Sequence, residues 1–404
     1  MNSVSKTNAN PFEEENEMTT VNPNCYEVSA AIQPFHIAVP QDELDDLRYR
    51  LSRTRWPEAM NEASWNYGVS LDYIKELASY WQNEYDWRKY EAQINEYPQF
   101  TTTIDGAQIH FMHVRSPEPD AFPLLLTHAW PSSIVEFLEL IGPLSDPRSH
   151  GGDPANAFHL VIPSVPGFGF SGPALGSGWN IARIAKAWDT LMKRLGYTEY
   201  GSHGSDCGAL VSRELGIQKP EGLRGIHVLQ LFSFPSGDPA EMADLSEEDQ
   251  SRLQFLANFH ERAGFNSIQS TRPQTLSYGL ADSPAGQLSW IAELFNGFGD
   301  HVDFIDRDAL LTNVTLYWLT NTAESSARLY YENAHQQQEP QGPNSTPTGV
   351  AVFGHDFKSI KRFAERDNTN IVQWSEFERG THFAAMDAPD LLIPDIQSFF
   401  SRYR

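Results

Sequence analysis

Residues 200–208 read Tyr-Gly-Ser-His-Gly-Ser-Asp-Cys-Gly, and this stretch decides the fold. Gly204 and Gly208 frame Asp206 in a turn that follows a strand pattern and precedes a helix pattern. A nucleophile held on such a turn has a strained backbone and close neighbours, which is why the turn needs glycines. The context predicts that Asp206 is a catalytic nucleophile; the alternative is a loop aspartate that caps a helix.

An aspartate nucleophile restricts the reaction. A carboxylate that attacks a saturated carbon forms an alkyl ester, whereas attack on an ester carbonyl would leave an anhydride. We therefore expect a substrate with a strained ring or a good leaving group on saturated carbon, namely an epoxide or a halide. Water must then attack the ester carbonyl of the intermediate, and this step requires a base.

His382 is the candidate base because it follows the last predicted strand and precedes the C-terminal helix. The chain has 13 histidines, so position decides, and the expected order is nucleophile, acid, histidine. Asp356 ends the preceding strand and would fix the histidine tautomer. Glu376 is a weaker candidate for the acid, and a structural histidine with a turn aspartate is the alternative interpretation.

Residues 128–131, His-Ala-Trp-Pro, follow a short apolar strand at the expected place of an oxyanion loop. The backbone N–H groups of Trp130 and Cys207 are candidate donors to the oxyanion. His128 and Trp130 are also candidate substrate contacts, although packing explains their side chains equally well. Cys207 begins a helix, which would lower the pKa of its thiol, but a small buried or pocket-lining cysteine is the preferred interpretation.

Apolar strand patterns alternate with helix patterns after residue 100, which predicts an α/β fold with a mostly parallel sheet covered on both faces. The predicted strands are 101–104, 108–114, 123–127, 158–163, 199–203, 225–232, 349–353 and 371–374. The predicted core helices are 181–195, 208–215 and 389–400. Four further predicted helices interrupt the alternation: 247–263, 285–295, 309–320 and 325–335.

These patterns divide the chain into four parts. Residues 1–33 are predicted to form a flexible tail, and residues 34–100 are predicted to form a helical N-terminal segment. The α/β core comprises residues 101–232 and 348–404, and residues 233–347 form a helical cap inserted into it. A cap at this point would cover the carboxyl ends of the strands, where such sheets place their sites.

Composition excludes several classes of function. The net charge is -24 with 29 basic and 53 acidic residues, so phosphate backbones and anionic lipids would repel the chain. Two cysteines are too few for a disulfide scaffold or a four-sulfur zinc site, and His203, His355 and Asp356 lack metal-ligand spacing. We expect a cytoplasmic protein, because a signal peptide pattern and an apolar run of ~18 residues are both lacking.

Several motifs share one family pattern: Pro-Phe-His-Ile at 34–37, Arg-Thr-Arg-Trp-Pro at 53–57, Tyr-Asp-Trp-Arg at 85–88, Pro-Ser-Val-Pro-Gly-Phe-Gly-Phe-Ser-Gly at 163–172 and Gly-Thr-His-Phe-Ala-Ala at 380–385. With the Asp206 turn, they make the chain resemble the microsomal-type epoxide hydrolases from about residue 34 to residue 400. The resemblance implies the α/β-hydrolase fold with a helical N-terminal extension. Bacterial and fungal members of this type lack the membrane anchor of the animal ones.

The resemblance implies a cofactor-free and metal-free mechanism. Asp206 attacks the less hindered epoxide carbon, and His382 with Asp356 activates the water that releases a vicinal diol. Two cap tyrosines would donate to the epoxide oxygen, and Tyr330 matches one of them, with Tyr331 as the adjacent alternative. Phe265 stands where the family has the other tyrosine, and it cannot donate. The small-molecule epoxide is the expected partner, and the resemblance allows a homodimer.

Further departures cluster at the same site: Ala129 replaces a glycine of the oxyanion loop, and Cys207 replaces a tryptophan after the nucleophile. They favour an epoxide hydrolase with an altered pocket for a bulky or specialised metabolite. An epoxide-opening cyclase or rearrangement enzyme is the second hypothesis. A non-catalytic ligand-binding descendant is the third, and a haloalkane dehalogenase is the weakest.

Overall fold

The computed structural model describes residues 30–58, 65–172, 176–243, 245–336 and 342–404. Its strands form one sheet in the order β1-β2-β3-β5-β4-β6-β7-β8-β9. Their bounds are β1 Gln33–Phe35, β2 Gln99–Ile104, β3 Ala107–Val114, β4 Phe122–Thr127, β5 Phe158–Pro163, β6 Tyr200–Gly204, β7 Leu223–Val228, β8 Thr348–Val352 and β9 Ile371–Glu376.

The sheet is antiparallel at one edge and parallel elsewhere. Strands β1, β2, β3 and β5 pair antiparallel, and every other pairing is parallel. Asp105 and Gly106 close the predicted β2–β3 hairpin with positive φ values of 50° and 80°, the backbone that a two-residue hairpin turn requires. Strands β5, β6 and β8 are buried along their whole length, as expected for a sheet covered on both faces.

Sixteen α-helices lie in the described part of the chain. Those of the N-terminal segment and core are α1 Gln41–Ser52, α2 Leu71–Asn83, α3 Trp87–Ile94, α4 Leu138–Ser145, α5 Ile181–Arg194, α6 Cys207–Gln218, α14 Lys361–Asp367, α15 Ala384–Asp387 and α16 Pro389–Phe400. Those between β7 and β8 are α7 Pro239–Met242, α8 Glu247–Arg262, α9 Gly264–Thr271, α10 Pro273–Asp282, α11 Pro284–Phe295, α12 Arg307–Thr320 and α13 Ala323–His335. The mostly parallel sheet with intervening helices agrees with the predicted α/β fold class.

The N-terminal segment differs in one respect from its helical prediction. Strand β1 precedes its helices and pairs with β2, with Pro34 opposite Phe100. A three-residue strand has too short a pattern to predict from sequence, because its stability comes from its partner strand. Most of the predicted tail, residues 1–29, lies outside the described residues, whereas Gln33 already belongs to β1.

Helices α11 and α12 of the insertion contact the N-terminal segment. The indole N–H of Trp81 donates to the Thr315 hydroxyl at 2.8 Å, and the Tyr85 and Thr312 hydroxyls lie 2.9 Å apart. These bonds are buried, so they fix α12 against the N-terminal segment. Helix α13 packs against α9 and α10. The sequence pattern did not predict the short helices α7, α9 and α10, because each spans three turns or fewer.

Candidate active site

Asp206 lies on a strained turn between β6 and α6. Its φ is 50° and its ψ is -118°, a backbone region that residues with a side chain rarely adopt. A Cβ atom on Gly204 would lie 2.2 Å from the carbonyl oxygen of Gly208, and one on Gly208 would lie 2.0 Å from that of Thr127. Both glycines of the quoted stretch are therefore required by close backbone contacts.

The predicted base and acid lie beside Asp206. Nδ1 of His382 lies 2.7 Å from Oδ1 of Asp356, and Nε2 of His382 lies 3.6 Å from Oδ2 of Asp206. His382 follows β9, and Asp356 follows β8, so the ends of adjacent parallel strands bring them together. Glu376 instead pairs with Arg252 at 2.8 Å, so the alternative acid does not contact His382.

The charge of His382 depends on its two carboxylate neighbours. Burial alone would lower the pKa of His382, but the negative charges of Asp356 and Asp206 outweigh it and raise the pKa well above its usual value. Alkylation of Asp206 would remove one of these charges and favour the neutral imidazole. The arrangement thus couples the state of the aspartate to the basicity of the histidine.

The loop that follows β4, the predicted oxyanion loop, reaches the carboxylate of Asp206. The backbone N–H of Trp130 donates to Oδ1 of Asp206 at 3.2 Å, and its indole N–H donates to the Ser326 hydroxyl at 3.1 Å. Ala129 is buried and is not among the residues with positive φ. Alanine in place of glycine is therefore compatible with the loop.

Cys207 is buried beside Asp206, and its thiol donates to the carbonyl oxygen of His128 at 3.4 Å. Burial and the charges of Asp206 and Glu136 raise the pKa of this thiol well above its usual value. The expected pKa lowering by the helix start is therefore outweighed, and the structure favours an unreactive thiol over a redox or nucleophilic one.

Aromatic rings from the insertion lie over the oxyanion loop. Phe265 stacks on Trp130 with ring centroids 5.5 Å apart, and Tyr330 meets Trp130 edge to face at 5.1 Å. Phe265 and Tyr330 contact each other at 6.1 Å. Tyr331 instead is partly exposed and stacks on His335 at 3.9 Å, so this alternative donor points away from Asp206.

His128 is not available to a ligand in the way proposed from the sequence. Its side chain is fully buried, with Nδ1 2.9 Å from the carbonyl oxygen of Ala129 and Nε2 accepting from the N–H of Val165 at 3.2 Å. Burial lowers the pKa of His128 to about 4. A neutral His128 therefore holds two loops together, which is a structural role rather than substrate contact.

Sequence reasoning missed two polar residues of the site. Gln230 accepts a hydrogen bond from the N–H of Asp206 at 2.7 Å and donates to Oδ2 of Asp356. Glu136 is fully buried, and it accepts from the N–H of Ala129 at 2.9 Å and from the hydroxyl of Ser205. The only available signal was that Gln230 follows the carboxyl end of β7, where such sheets place functional groups.

Two family models match this chain, and the second confirms the predicted α/β-hydrolase fold. Residues 32–137 match the family model for the epoxide hydrolase N terminus, and residues 123–271 match the model for the alpha/beta hydrolase fold. A curated protein of Stigmatella aurantiaca, which its name assigns provisionally to the epoxide hydrolases, is 46% identical over 92% of this chain and 86% of its own. Epoxide hydrolase 1 of Sus scrofa is 33% identical over 91% of this chain and 88% of its own.

The chain belongs to the epoxide hydrolase family. The enzyme is therefore a hydrolase of the class that acts on ether bonds. Its structure is similar to the juvenile hormone epoxide hydrolase of Bombyx mori, with a TM-score of 0.85, 29% identity and coverage of 93% of this chain and 95% of that one. For the epoxide hydrolase of Aspergillus niger the TM-score is 0.80 and the identity is 28%, with coverage of 93% of this chain and 98% of that one.

Two further properties concern the described residues only. They contain no group of three or more His, Cys, Asp or Glu side chains placed to hold a metal ion. Within the same ranges, no helix has the length and apolar character needed to cross a bilayer.

Proposed function

We propose that this enzyme opens an epoxide through an alkyl ester on Asp206 and releases a vicinal diol. The observation that carries the proposal is the triad geometry, with His382 2.7 Å from Asp356 and 3.6 Å from Asp206. The two oxygens of Asp206 have different surroundings, since Oδ1 accepts from Trp130 and Oδ2 faces His382. This difference assigns them different roles.

Ring opening uses Oδ2 of Asp206 as the attacking atom. Oδ2 forms a bond to an epoxide carbon, the carbon–oxygen bond of the ring breaks, and the epoxide oxygen takes up a proton. Tyr330 is the donor that we assign to this proton, because its ring lies against Trp130 at 5.1 Å. Burial and the nearby charge of Asp206 raise the pKa of Tyr330 well above its usual value, so it holds its proton until an alkoxide develops.

Ester hydrolysis uses Oδ1 as the oxyanion. His382 takes a proton from water, which attacks the ester carbonyl carbon of Asp206, while the N–H groups of Trp130 and Cys207 hold the negative charge. Asp356 stabilises the imidazolium that forms. The bond between the carbonyl carbon and Oδ2 breaks, Oδ2 takes the proton from the imidazolium and leaves in the diol, and the water oxygen stays on Asp206.

The substrate is expected to be apolar and bulky. Phe265, Phe259 and Phe298 form an aromatic cluster next to Trp130, with ring centroids 5.5–6.5 Å apart. Aromatic walls contribute contact area but few polar partners. Cys207 is smaller than the tryptophan of the family pattern, which also favours a bulky substrate or a specialised metabolite.

A cyclase or rearrangement enzyme is the second candidate, favoured by the phenylalanine at position 265. With one tyrosine donor, attack by Asp206 would be slower, and an internal hydroxyl of the substrate could attack the epoxide carbon instead. Its oxygen bonds to that carbon as the ring C–O bond breaks, its proton passes to Asp206, and Tyr330 protonates the epoxide oxygen. We distinguish the two outcomes with styrene oxide, trans-stilbene oxide and an epoxide carrying an internal hydroxyl, each in oxygen-18 water under single-turnover conditions.

Hydrolysis through the ester predicts oxygen-18 in Asp206 after the first turnover and in the diol over later turnovers. A cyclic product with an unlabelled enzyme would refute the hydrolase proposal. Label in the diol during the first turnover, with none in Asp206, would show direct attack by water and refute the ester.

A further inference from the structure

Glu136 is the buried carboxylate of the site that the steps above do not use. It lies in the 3₁₀ turn Ile134–Phe137 and is 1% exposed. One carboxylate oxygen accepts from the N–H of Ala129 at 2.9 Å, and the other accepts from the hydroxyl of Ser205. Ala129 directly precedes Trp130, and Ser205 directly precedes Asp206.

The two hydrogen bonds of Glu136 therefore link the segment that carries the Trp130 N–H to the segment that carries the Asp206 carboxylate. The Trp130 N–H reaches Oδ1 of Asp206 at 3.2 Å across two segments that are 76 residues apart in the chain. Hydrogen bonds of this kind lose strength with displacements well below 1 Å. A residue that ties the neighbours of both partners fixes the distance between them.

We propose that Glu136 is a positioning residue for ester hydrolysis, which keeps the Trp130 N–H directed at Oδ1 of Asp206. The inference rests on the proposed function. During ring opening Asp206 loses its charge, so a donor to Oδ1 gives no advantage in that step. During ester hydrolysis charge accumulates on Oδ1, and the position of the donor then sets the rate.

A burial cost accompanies this role. Burial raises the pKa of Glu136 to about 7, against the opposing effect of the hydrogen bonds from Ser205 and Ala129. A buried carboxyl in such surroundings destabilises the fold unless its bonds are made. The neutral amide of glutamine can replace it, because its oxygen can accept from Ala129 while its nitrogen donates to Ser205.

The test compares Glu136→Ala, Glu136→Gln and Ser205→Ala in rapid-quench single turnovers with styrene oxide, followed by intact-protein mass spectrometry. Glu136→Ala should leave the alkylation rate within about threefold, slow ester hydrolysis by about 10- to 100-fold, and accumulate the ester. Glu136→Gln should stay within about threefold in both steps, and Ser205→Ala should show the Glu136→Ala pattern at smaller amplitude.

Glu91→Ala is the matched control. Glu91 is also buried and accepts from a backbone N–H, that of Val39 at 2.7 Å, but it lies in the N-terminal segment. The Glu91→Ala variant should have a lower melting temperature and an unchanged ratio of the alkylation rate to the ester-hydrolysis rate. The inference would be overturned if Glu136→Ala slowed alkylation and ester hydrolysis equally, or slowed neither step. If the wild type forms no ester, the proposed function fails instead.

Discussion

The backbone N–H of Asp206 donates to the side-chain oxygen of Gln230 at 2.7 Å. The amide nitrogen of Gln230 donates to Asp356, so one side chain joins the strained turn at Asp206 to Asp356, the proposed acid partner of His382. Gln230 follows β7, the strand between those that precede Asp206 and Asp356. Its amide is 1% exposed, and its two bonds are therefore made without competition from water.

Gln230→Ala should lower kcat by about 10- to 100-fold, because it leaves a buried N–H without a partner and frees Asp356 to turn from His382. Gln230→Met keeps the volume and removes the polar bonds, so it should show the same loss. Steady-state kinetics together with thermal unfolding check this. Full activity in Gln230→Met would show that the amide has no part in aligning the triad.

The pH dependence of ester hydrolysis should report His382. The neutral imidazole is the proposed base. In the ester Asp206 is uncharged, but Asp356 still raises the pKa of His382, so hydrolysis is lost as pH falls through the pKa that His382 has in the ester. Asp356→Asn should move this acid limb to lower pH, since the charge that favours imidazolium is gone. It should also lower the plateau by about 10²- to 10⁴-fold, because the tautomer is no longer fixed.

Glu376→Gln is the control for this pH profile. Glu376 pairs with Arg252 and does not contact His382. Its replacement should leave the acid limb in place. A limb that shifts in Glu376→Gln, or stays fixed in Asp356→Asn, would contradict the assignment of Asp356 as the acid.

Phe265→Tyr should raise the rate of ring opening of styrene oxide. It places a hydroxyl on the ring that contacts both Trp130 and Tyr330, and a second donor to the alkoxide is worth about tenfold or more. Tyr330→Phe should slow the same step by about 10- to 100-fold, and Phe265→Tyr should restore part of that loss. Tyr331→Phe is the control and should be neutral. Stopped-flow measurement of alkylation separates these cases.

The glycines of the elbow should be sensitive to a single methyl group. Gly208→Ala would place a Cβ 2.0 Å from the Thr127 carbonyl oxygen, and such overpacking costs about 1–3 kcal/mol or more. Gly279→Ala is the control, because no atom lies within 4 Å of its Cβ position in α10. It should stabilise the fold by up to ~1 kcal/mol. Chemical unfolding of both variants checks the contrast.

Much of the fold followed from local patterns in the sequence. The hairpin at Asp105 and Gly106, the strand Phe158–Pro163 and the helix Pro389–Phe400 have the bounds expected to within two residues. Strand β1 and helices α9 and α10 were missed, because their stability depends on partners far along the chain. Elements this short contain too few residues to show the period of apolar side chains that identifies a helix or a strand.

The site divides in the same way. Asp206, Asp356 and His382 were predicted from chain order, which places their side chains at the carboxyl ends of neighbouring strands. Glu136 gave no such signal, and Gln230 gave only its place after β7, since the contacts of both residues span 24 to 126 residues of the chain. The opposite orientations of Tyr330 and Tyr331 likewise required the packing of α13 against Trp130.

The ester on Asp206 is tested most directly by trapping it in a His382→Gln variant. The variant is incubated with styrene oxide, and the protein is then analysed by intact mass and peptide mapping. The account predicts a stoichiometric mass increase equal to that of the epoxide, located on the peptide that contains Asp206 and absent in Asp206→Asn. An unmodified His382→Gln protein that still forms diol, or an adduct on another residue, would contradict it.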